Sequence, residues 1–181
     1  GRGWGQGPQH SQSLQALFAH IPGLKVVMPA TPYDAKGLLT SAVEDNNPVI
    51  FIEHRWLHGL KDDVPEAVVR VPLGTSRVAR KGSDVTIASF SYMTIEALRA
   101  AAFLEQNGIQ AEVIDMRSAR PLDLTFVLES VKRTGRLLVC DTAWKTLGVA
   151  AEVVSQVSER CFSDLKKAPV RIALPDHPIP P

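Results

Sequence analysis

The strongest constraint on the fold is a regular alternation between short apolar runs and amphipathic patterns of helical length. Early in the chain, KVVM (25–28) and PVIFIE (48–53) are typical of buried strands. Between them, TPYD (31–34) predicts a helix start. Threonine caps the first turn, proline fits the first helical position, and an acidic residue suits the positive end. This helix is expected to run through Val43.

A helix is also predicted ahead of the first strand. Its apolar residues recur at i, i+3, i+4 and i+7, and we expect them to face the core: Leu14, Leu17, Phe18 and Ile21. Ser11 is the expected N-cap and Pro22-Gly23 the expected end.

The alternation resumes in the second half. Strands are predicted at 85–90, 111–116, 136–141 and 170–174. Helices are expected between them: 92–107, a helix capped by Asp123 that ends at Gly135, and about 147–162. This order predicts an α/β fold, a three-layer sandwich with mostly parallel sheets.

The two series of elements are separated by a stretch of fading periodicity, from about Arg55 to Leu73, which predicts an interdomain linker. The second series has enough strands for its own sheet. The first has two, which would leave edges and apolar faces uncovered. We therefore expect the first region to be the latter part of a domain that is completed elsewhere.

Composition excludes several classes of protein. The formal net charge is +1, which gives no electrostatic reason to expect nucleic acid or an anionic membrane as partner. No apolar run approaches the roughly 20 residues that span a bilayer, so the sequence predicts a soluble intracellular protein. Cys140 and Cys161 lie far apart in apolar patterns and are expected to be buried free thiols.

The chain opens with GRGWGQGPQHSQ, a glycine-rich run. It lacks the preceding strand of a dinucleotide-binding loop and the Gly-Lys-Ser/Thr ending of a P-loop, and a flexible leader explains 1–7. His10 is expected just before a helix N-cap, where the positive helix end favours a neutral imidazole that can donate and accept a proton. From spacing alone, a histidine that only hydrogen-bonds the loop is the more common interpretation.

Other polar and aromatic candidates lie near strand or helix ends, and each has a structural interpretation beside the functional one. They are His20, Glu53-His54-Arg55, Asp115 with Arg117, Asp141, and the tryptophans Trp4, Trp56 and Trp144. A structural ion pair is favoured for Asp115 and Arg117, and Asp141 is suited to cap the next turn. Interface packing suits the tryptophans as well as ligand stacking does.

Long collinear segments resemble one known family: QHSQSLQALFAHIPGLKVVMPATPYDAKGLL, EDNNPVIFIEHR, GSDVTI, AEVIDMRSARPLD, VKRTGRLLVCD and PDHPIPP. By these the chain is identified as a member of the beta subunits of thiamine-diphosphate-dependent 2-oxo acid dehydrogenases (pyruvate and branched-chain types), within the transketolase-like superfamily. The resemblance implies the C-terminal portion of such a subunit. Residues 1–58 would be the latter part of the pyrimidine-binding domain, 59–73 a linker, and 74–181 a transketolase-type C-terminal domain.

The resemblance also implies an activity and its partners. In this family, beta subunits pair with each other and with alpha subunits in a heterotetramer, which holds thiamine diphosphate and magnesium between subunits. A 2-oxo acid is oxidatively decarboxylated, and its acyl group passes to a lipoyl domain of the acyltransferase core. Such an enzyme would lie in the cytoplasm of a bacterium or the mitochondrial matrix of a eukaryote.

The site residues implied by the resemblance are few. His10 matches the active-site histidine of QHSQ, which assists proton transfer during acyl transfer to lipoamide. Main-chain carbonyls of Ala42, Asp45 and Asn47 match a potassium site, and oxygen ligands suit such a hard cation. No residue of this chain is implied to hold thiamine diphosphate. The activating glutamate would lie upstream of Gly1, and the Gly-Asp-Gly motif for magnesium belongs to the alpha subunit.

One departure keeps two alternatives open. DTAW (141–144) stands where relatives have Asp-Glu-Gly-Trp, so Thr142 replaces a carboxylate. The chain could therefore be a non-catalytic module for assembly and docking. A transketolase-like ketol transferase is the other alternative, which QHSQ and PATPYDAKGLL disfavour. As a portion of a dehydrogenase beta subunit, the isolated chain is expected to be inactive.

Overall fold

A computed structural model describes residues 7–179 of the chain. Within this range the α-helices are α1 (Gly7–His10), α2 (Gln15–Ala19), α3 (Pro32–Val43), α4 (Tyr92–Gln106), α5 (Thr125–Thr134) and α6 (Val149–Cys161). The strands are β1 (Lys25–Val27), β2 (Val49–Phe51), β3 (Arg77–Arg80), β4 (Val85–Ser89), β5 (Ala111–Asp115), β6 (Ser118–Arg120), β7 (Leu137–Trp144) and β8 (Val170–Leu174). Short 3-10 turns cover Arg55–Leu57 and Phe162–Asp164.

The larger sheet has the strand order β3-β5-β4-β7-β8. Its strands are parallel except for β3, which pairs antiparallel with β5. Helix α4 packs on one face, where Ala97 and Ala101 meet Ile87 and Val113. Helices α5 and α6 cover the other face with buried valines: Val127, Val131, Val153 and Val157. The predicted three-layer, mostly parallel α/β architecture is thus confirmed.

The smaller sheet draws strands from both halves of the chain. Its order is β2-β1-β6, with β1 parallel to β2 and antiparallel to β6. Strand β6 follows β5 in sequence, so the chain returns from the large sheet to complete the small one. The sequence analysis predicted neither β3 nor β6. RVAR carries two arginines and SAR has three residues, and neither produces an apolar run.

The first predicted helix is wrong in its start and its orientation. Helix α2 has Leu14 as N-cap, whereas Ser11 lies buried directly after α1. Leu14, Leu17 and Ile21 are exposed, the middle one by 61%, contrary to the prediction that they face the core. The residues that pack inward are instead Ala16, Phe18 and Ala19. A helix of five residues can turn only a narrow stripe to the core, and this stripe consists of Phe18 flanked by two alanines.

Two of three predicted ends of the later helices are confirmed. Thr31 Oγ1 accepts the N–H of Asp34 at 3.1 Å, with Pro32 at the start of α3, as predicted. Gly135 ends α5 in the left-handed region at φ 70°. Asp123 does not occupy the N-cap of α5, which is Leu124, but its carboxylate still accepts the N–H of Thr125 at 3.0 Å.

The stretch from 59 to 73 has no helix or strand, yet part of it is packed. Val69 and Val71 are buried against Leu38 of α3. A Cβ added at Gly37 would meet Val71 Cγ2 at 2.5 Å, so only glycine permits this close approach. Cys140 and Cys161 are buried and free, as predicted.

Candidate functional site

His10 is the last residue of α1, and its side chain is exposed. It does not directly precede the N-cap of α2, because Ser11 to Ser13 intervene before Leu14. The predicted position of His10 at the N-terminus of that helix is therefore wrong. What the structure does show is a surface histidine followed by a segment whose polar side chains point inward.

This segment buries its polar residues and exposes its apolar ones. Ser11, Ser13 and Gln15 are buried, Gln15 to 1% exposure, whereas Leu14 is 42% exposed. Gln15 Nε2 donates to Oδ1 of Asp141 at 2.6 Å, a contact between residues 126 positions apart. A hydrogen bond thus ties the start of α2 to β7 of the large sheet.

Asp141 is 3% exposed and lies within β7. Its Oδ1 also accepts the N–H of Ala143 at 3.2 Å, which confirms the predicted capping of the following turn. Burial raises the pKa of Asp141, while the N–H of Ala143 and the amide of Gln15 act in the opposite direction. Thr142, the residue that replaces a family glutamate, is buried beside it.

The Glu53-His54-Arg55 triplet divides between surface and interior. Glu53 and Arg55 are exposed, whereas His54 is buried and stacks on Tyr92 with ring centroids 4.7 Å apart. The Nδ1 atom of His54 accepts the N–H of Trp56 at 3.3 Å. Burial lowers the pKa of His54 to about 4, so the ring is neutral near pH 7.

A cavity of about 160 Å³ opens beside this ring. Its walls come from the aromatic cluster and from the ends of β7 and β8: His54, Trp56, Tyr92, Met93, Asp141, Thr142, Ile172, Ala173 and Leu174. The structure therefore brings together two sequence candidates, His54 and Asp141, which lie far apart in the chain.

A network of buried charges joins α3 to the large sheet. Arg117 Nη2 lies 2.6 Å from Oδ1 of Asp34, and Arg77 lies 3.3 Å from both Asp34 and Asp115. Thr94 Oγ1 donates to Asp115 at 3.4 Å. Burial raises the pKa of Asp115 to about 6, with Arg77 acting in the opposite direction. The structural interpretation of Asp115 and Arg117 fits, although the cations and carboxylates pair differently from the simple pair expected.

The segment implied to bind potassium lies at the end of α3. The carbonyl of Ala42 accepts the N–H of Asp45 at 3.4 Å, and Asn47 is exposed. The carboxylate of Asp45 forms an ion pair with Lys25 and accepts the N–H of Asn47 at 2.8 Å. These contacts engage the side chain of Asp45 and fix the turn after α3.

The remaining candidates are spread over the surface. His20 is exposed at the end of α2, and the indole N–H of Trp144 donates to the carbonyl of His177 at 2.9 Å. Trp4 lies outside the described residues. Between residues 7 and 179, no group of three or more His, Cys, Asp or Glu side chains is placed to hold a metal ion. No helix in the same range is long and apolar enough to cross a membrane.

Gln15 is the functional candidate that sequence reasoning missed. The available signal was the polar pattern S-Q-S-L-Q (11–15), in which every second residue proves buried. Serine and glutamine are usually exposed, so the pattern alone favoured a solvated loop. Only the position of β7 reveals the partner of Gln15.

Comparison with known proteins extends over both halves of the chain. The family model "Transketolase, C-terminal domain" matches residues 74–181, and "Transketolase, pyrimidine binding domain" matches residues 3–59. A relative from Cupriavidus necator, acetoin:2,6-dichlorophenolindophenol oxidoreductase subunit beta, is 47% identical over 99% of this chain and 53% of its own length. The pyruvate dehydrogenase E1 component subunit beta of Bacillus subtilis is 45% identical over 94% of this chain and 53% of its own.

A solved structure, "Split gene transketolase, inactive beta4 tetramer", superposes with a TM-score of 0.73 and 28% identity. The match covers 94% of this chain and 54% of that chain. The chain spans about half the length of the curated relatives it matches. It belongs to the transketolase C-terminal domain family, and residues of the pyrimidine-binding domain precede that domain.

Proposed function

We propose that this chain is the C-terminal portion of the beta subunit of a 2-oxo acid dehydrogenase. The observation that carries the proposal is the continuous match, at 45% and 47% identity, to beta subunits named for pyruvate and acetoin oxidation. In the full assembly the enzyme oxidatively decarboxylates a 2-oxo acid and transfers the acyl group to lipoamide. The split into 1–58, 59–73 and 74–181 belongs to this proposal and is supported by the two family models.

His10 is the residue of this chain proposed to act in the reaction. Its exposure at the end of α1, next to a segment anchored in the interior, suits a side chain presented to a group bound between subunits. Thiamine diphosphate, when bound, supplies the electron sink for decarboxylation. The imidazole of His10 would hold or donate the proton needed as the acyl group leaves for lipoamide. Magnesium and the diphosphate are assigned to the alpha subunit on the family resemblance.

The partners and location follow from the same proposal. They are the alpha subunit, a second beta subunit and the acyltransferase core with its lipoyl domain. The location is the cytoplasm in a bacterium or the mitochondrial matrix in a eukaryote, which relatives from Bacillus subtilis and Rickettsia conorii support for the bacterial case.

The carbonyls of Ala42, Asp45 and Asn47 are proposed to bind potassium. The turn after α3 supports this, because the Lys25 ion pair and the Asn47 N–H hold the Asp45 side chain. The melting temperature of the assembly should rise with potassium chloride relative to choline chloride at equal ionic strength. Equal melting temperatures would remove the site from the proposal.

The test uses the full-length beta subunit produced with its alpha subunit. Release of CO₂ from pyruvate and branched-chain 2-oxo acids is measured alongside acetoin and ketose phosphates. His10→Ala should lower acylation of a lipoyl domain at least tenfold, whereas His20→Ala, a second exposed histidine, should leave it unchanged. Turnover of ketose phosphates alone would contradict the proposal.

Acetoin cleavage is the second candidate for the substrate, because the relative with 47% identity carries that name. The substrate panel, which includes acetoin beside the 2-oxo acids, distinguishes this candidate directly. The non-catalytic module is favoured by Thr142 and by a structural neighbour described as an inactive tetramer. A full-length pair of subunits that assembles and consumes none of the substrates would support that alternative.

A further inference from the structure

The polar segment after His10 is held by the C-terminal domain rather than by its own. Gln15, five residues after His10, is 1% exposed, and its amide donates to Asp141 at 2.6 Å. Burying an amide N–H is unfavourable unless it is paired, so this hydrogen bond holds the start of α2 against β7.

Asp141 is in turn held rigidly. It lies in an internal strand of the large sheet, between β4 and β8, and its Oδ1 also accepts the N–H of Ala143. No ion pair reaches Asp141 from the side chains within residues 7–179. Gln15 is therefore its side-chain donor among those residues, and the two depend on each other.

The far end of α2 is tied to the same domain. Arg120 Nη1 donates to the carbonyl of Ala19 at 3.0 Å, and Ala16, Phe18 and Ala19 pack against the core cluster shared by α5 and α6. The helix is thus secured at both ends, and of these two hydrogen bonds the one from Gln15 lies on the side of His10. Movement of the Gln15 end would move His10 directly.

We propose that Gln15 and Asp141 are positioning residues, which set the location of His10 through a hydrogen bond between the two domains. The pair makes the C-terminal domain part of the acyl-transfer site without touching substrate. This inference rests on the proposed role of His10. A displacement of about 1 Å in a reacting group can cost on the order of 100-fold in rate, so a lost anchor should be visible in kinetics.

The test compares variants of the full-length beta subunit assembled with its alpha subunit. Gln15→Met keeps the length of the side chain and removes the amide donor. Gln15→Glu is the conservative variant, because two adjacent carboxyl groups share one proton and so restore a donor. Asp34→Asn is the matched control, since it weakens another buried contact between the domains, with Arg117, and leaves the His10 segment alone.

Two rates are measured near pH 7. One is acylation of a lipoyl domain, and the other is substrate-dependent reduction of 2,6-dichlorophenolindophenol, in which the dye takes the electrons in place of lipoamide. Gln15→Met should lower the ratio of acylation to dye reduction at least fivefold, Gln15→Glu should keep it within threefold of the parent, and Asp34→Asn should not change it. An unchanged ratio in Gln15→Met, or an equal fall in Asp34→Asn, overturns the inference.

Amide hydrogen exchange of the cofactor-free assembly gives a second readout that needs no activity. Exchange across residues 7–19 should accelerate in Gln15→Met and stay at the parent rate in Asp34→Asn. If Gln15→Met does not assemble, Gln15→Ser supplies the same comparison. The role of His10 is tested separately: if His10→Ala leaves the ratio unchanged, the proposed function of His10 fails, whereas exchange still decides whether Gln15 anchors the segment.

Discussion

Leu147 carries a backbone conformation that leucine disfavours. Its φ is 57°, and its side chain is 88% exposed, so no packing offsets the strain. The left-handed region costs an L-residue roughly 1–2 kcal/mol, and glycine returns about 0.5–1 kcal/mol of that in chain entropy. Leu147→Gly should therefore raise the free energy of unfolding by up to about 1 kcal/mol, measured by urea denaturation.

Lys145→Gly is the control for this exchange. Lys145 is exposed in the same loop and is absent from the residues with positive φ. Glycine there adds entropy to the unfolded chain and relieves no strain, so stability should fall. A gain in both variants would show that the loop, and not the φ of Leu147, limits stability.

His54 should make stability depend on pH. Burial lowers its pKa to about 4 in the folded chain, whereas the ordinary value is 6.5. Between those values the unfolded chain binds more protons, so stability rises with pH. The contribution is fully present above about pH 6.5 and is lost as the pH falls toward 4. Between pH 7 and pH 5 the loss is about 2 kcal/mol.

His54→Asn removes this titration and keeps an acceptor for the N–H of Trp56. The difference in unfolding free energy between pH 7 and pH 5 should shrink by about 2 kcal/mol relative to the parent chain. Comparing variant with parent matters, because the raised pKa of Asp115 gives a slope of opposite sign. An equal shrinkage in His20→Asn, at an exposed histidine, would contradict the assignment.

Among individual residues, the sequence predicted side-chain contacts with near neighbours in the chain and missed contacts with residues far along it. Thr31 capping α3 and Gly135 ending α5 depend on neighbours within a few residues, and both predictions were confirmed. The burial of Gln15 depends on a hydrogen-bond partner 126 positions away, and the local spacing of residues does not indicate that partner. The role of His10 came from resemblance and stays a prediction.

Among the elements, α3 is held against residues 69–71 by a glycine. Gly37→Ala would improve helix propensity by about 1 kcal/mol, but the new methyl would overlap Val71 Cγ2. Overpacking costs typically 1–3 kcal/mol, so a net loss of about 1 kcal/mol is expected in urea denaturation. In a Val71→Ala background the overlap is gone, so the same exchange should no longer destabilise and should raise stability by up to about 1 kcal/mol. If the stability losses of Gly37→Ala and Val71→Ala simply add in the double variant, the overlap with Val71 is not the cause.

Two ion pairs, one from a residue within α3 and one from the residue at its C-terminal end, should contribute differently to the free energy of unfolding because one is buried and the other is exposed. Asp34 is 1% exposed and pairs with Arg117, so Asp34→Ala leaves a desolvated guanidinium and should cost about 3–5 kcal/mol. Glu44 pairs with Arg70 at 2.6 Å with both side chains about half exposed, so Arg70→Ala should cost less than about 1 kcal/mol. Calorimetric unfolding of both variants measures the contrast, and equal costs would contradict it.

The elements that were predicted correctly are those with continuous apolar runs. β1, β4, β5 and β7 were found at their apolar runs because strands buried on both faces need such runs. β3 and β6 were missed because an edge strand and a three-residue strand are specified by their partners. The prediction of which face of α2 points inward was wrong. The spacing of leucines shows that they share a face, but it does not show which face of a five-residue helix contacts the core.

For the whole molecule, the N-terminal and C-terminal regions are joined by strand pairing, ion pairs and hydrogen bonds, and not only by the segment that links them in sequence. β6 crosses into the small sheet, the charges of Asp34 and Arg117 join α3 to the turn before β6, and Gln15 reaches β7. The sequence predicted two regions and an incomplete first sheet, but not that a strand from the second region would extend it. Long-range pairing of this kind is fixed by the folded topology and leaves no periodic signal.

In the proposed assembly, this chain is part of a beta subunit whose chemistry needs the rest of that subunit and an alpha subunit. The direct measurement is release of CO₂ from 2-oxo acids with thiamine diphosphate and magnesium, by the 181-residue chain alone and by the full-length subunit with its alpha partner. We predict turnover by the assembly and none by the chain alone. Sustained CO₂ release by the isolated chain would contradict the account.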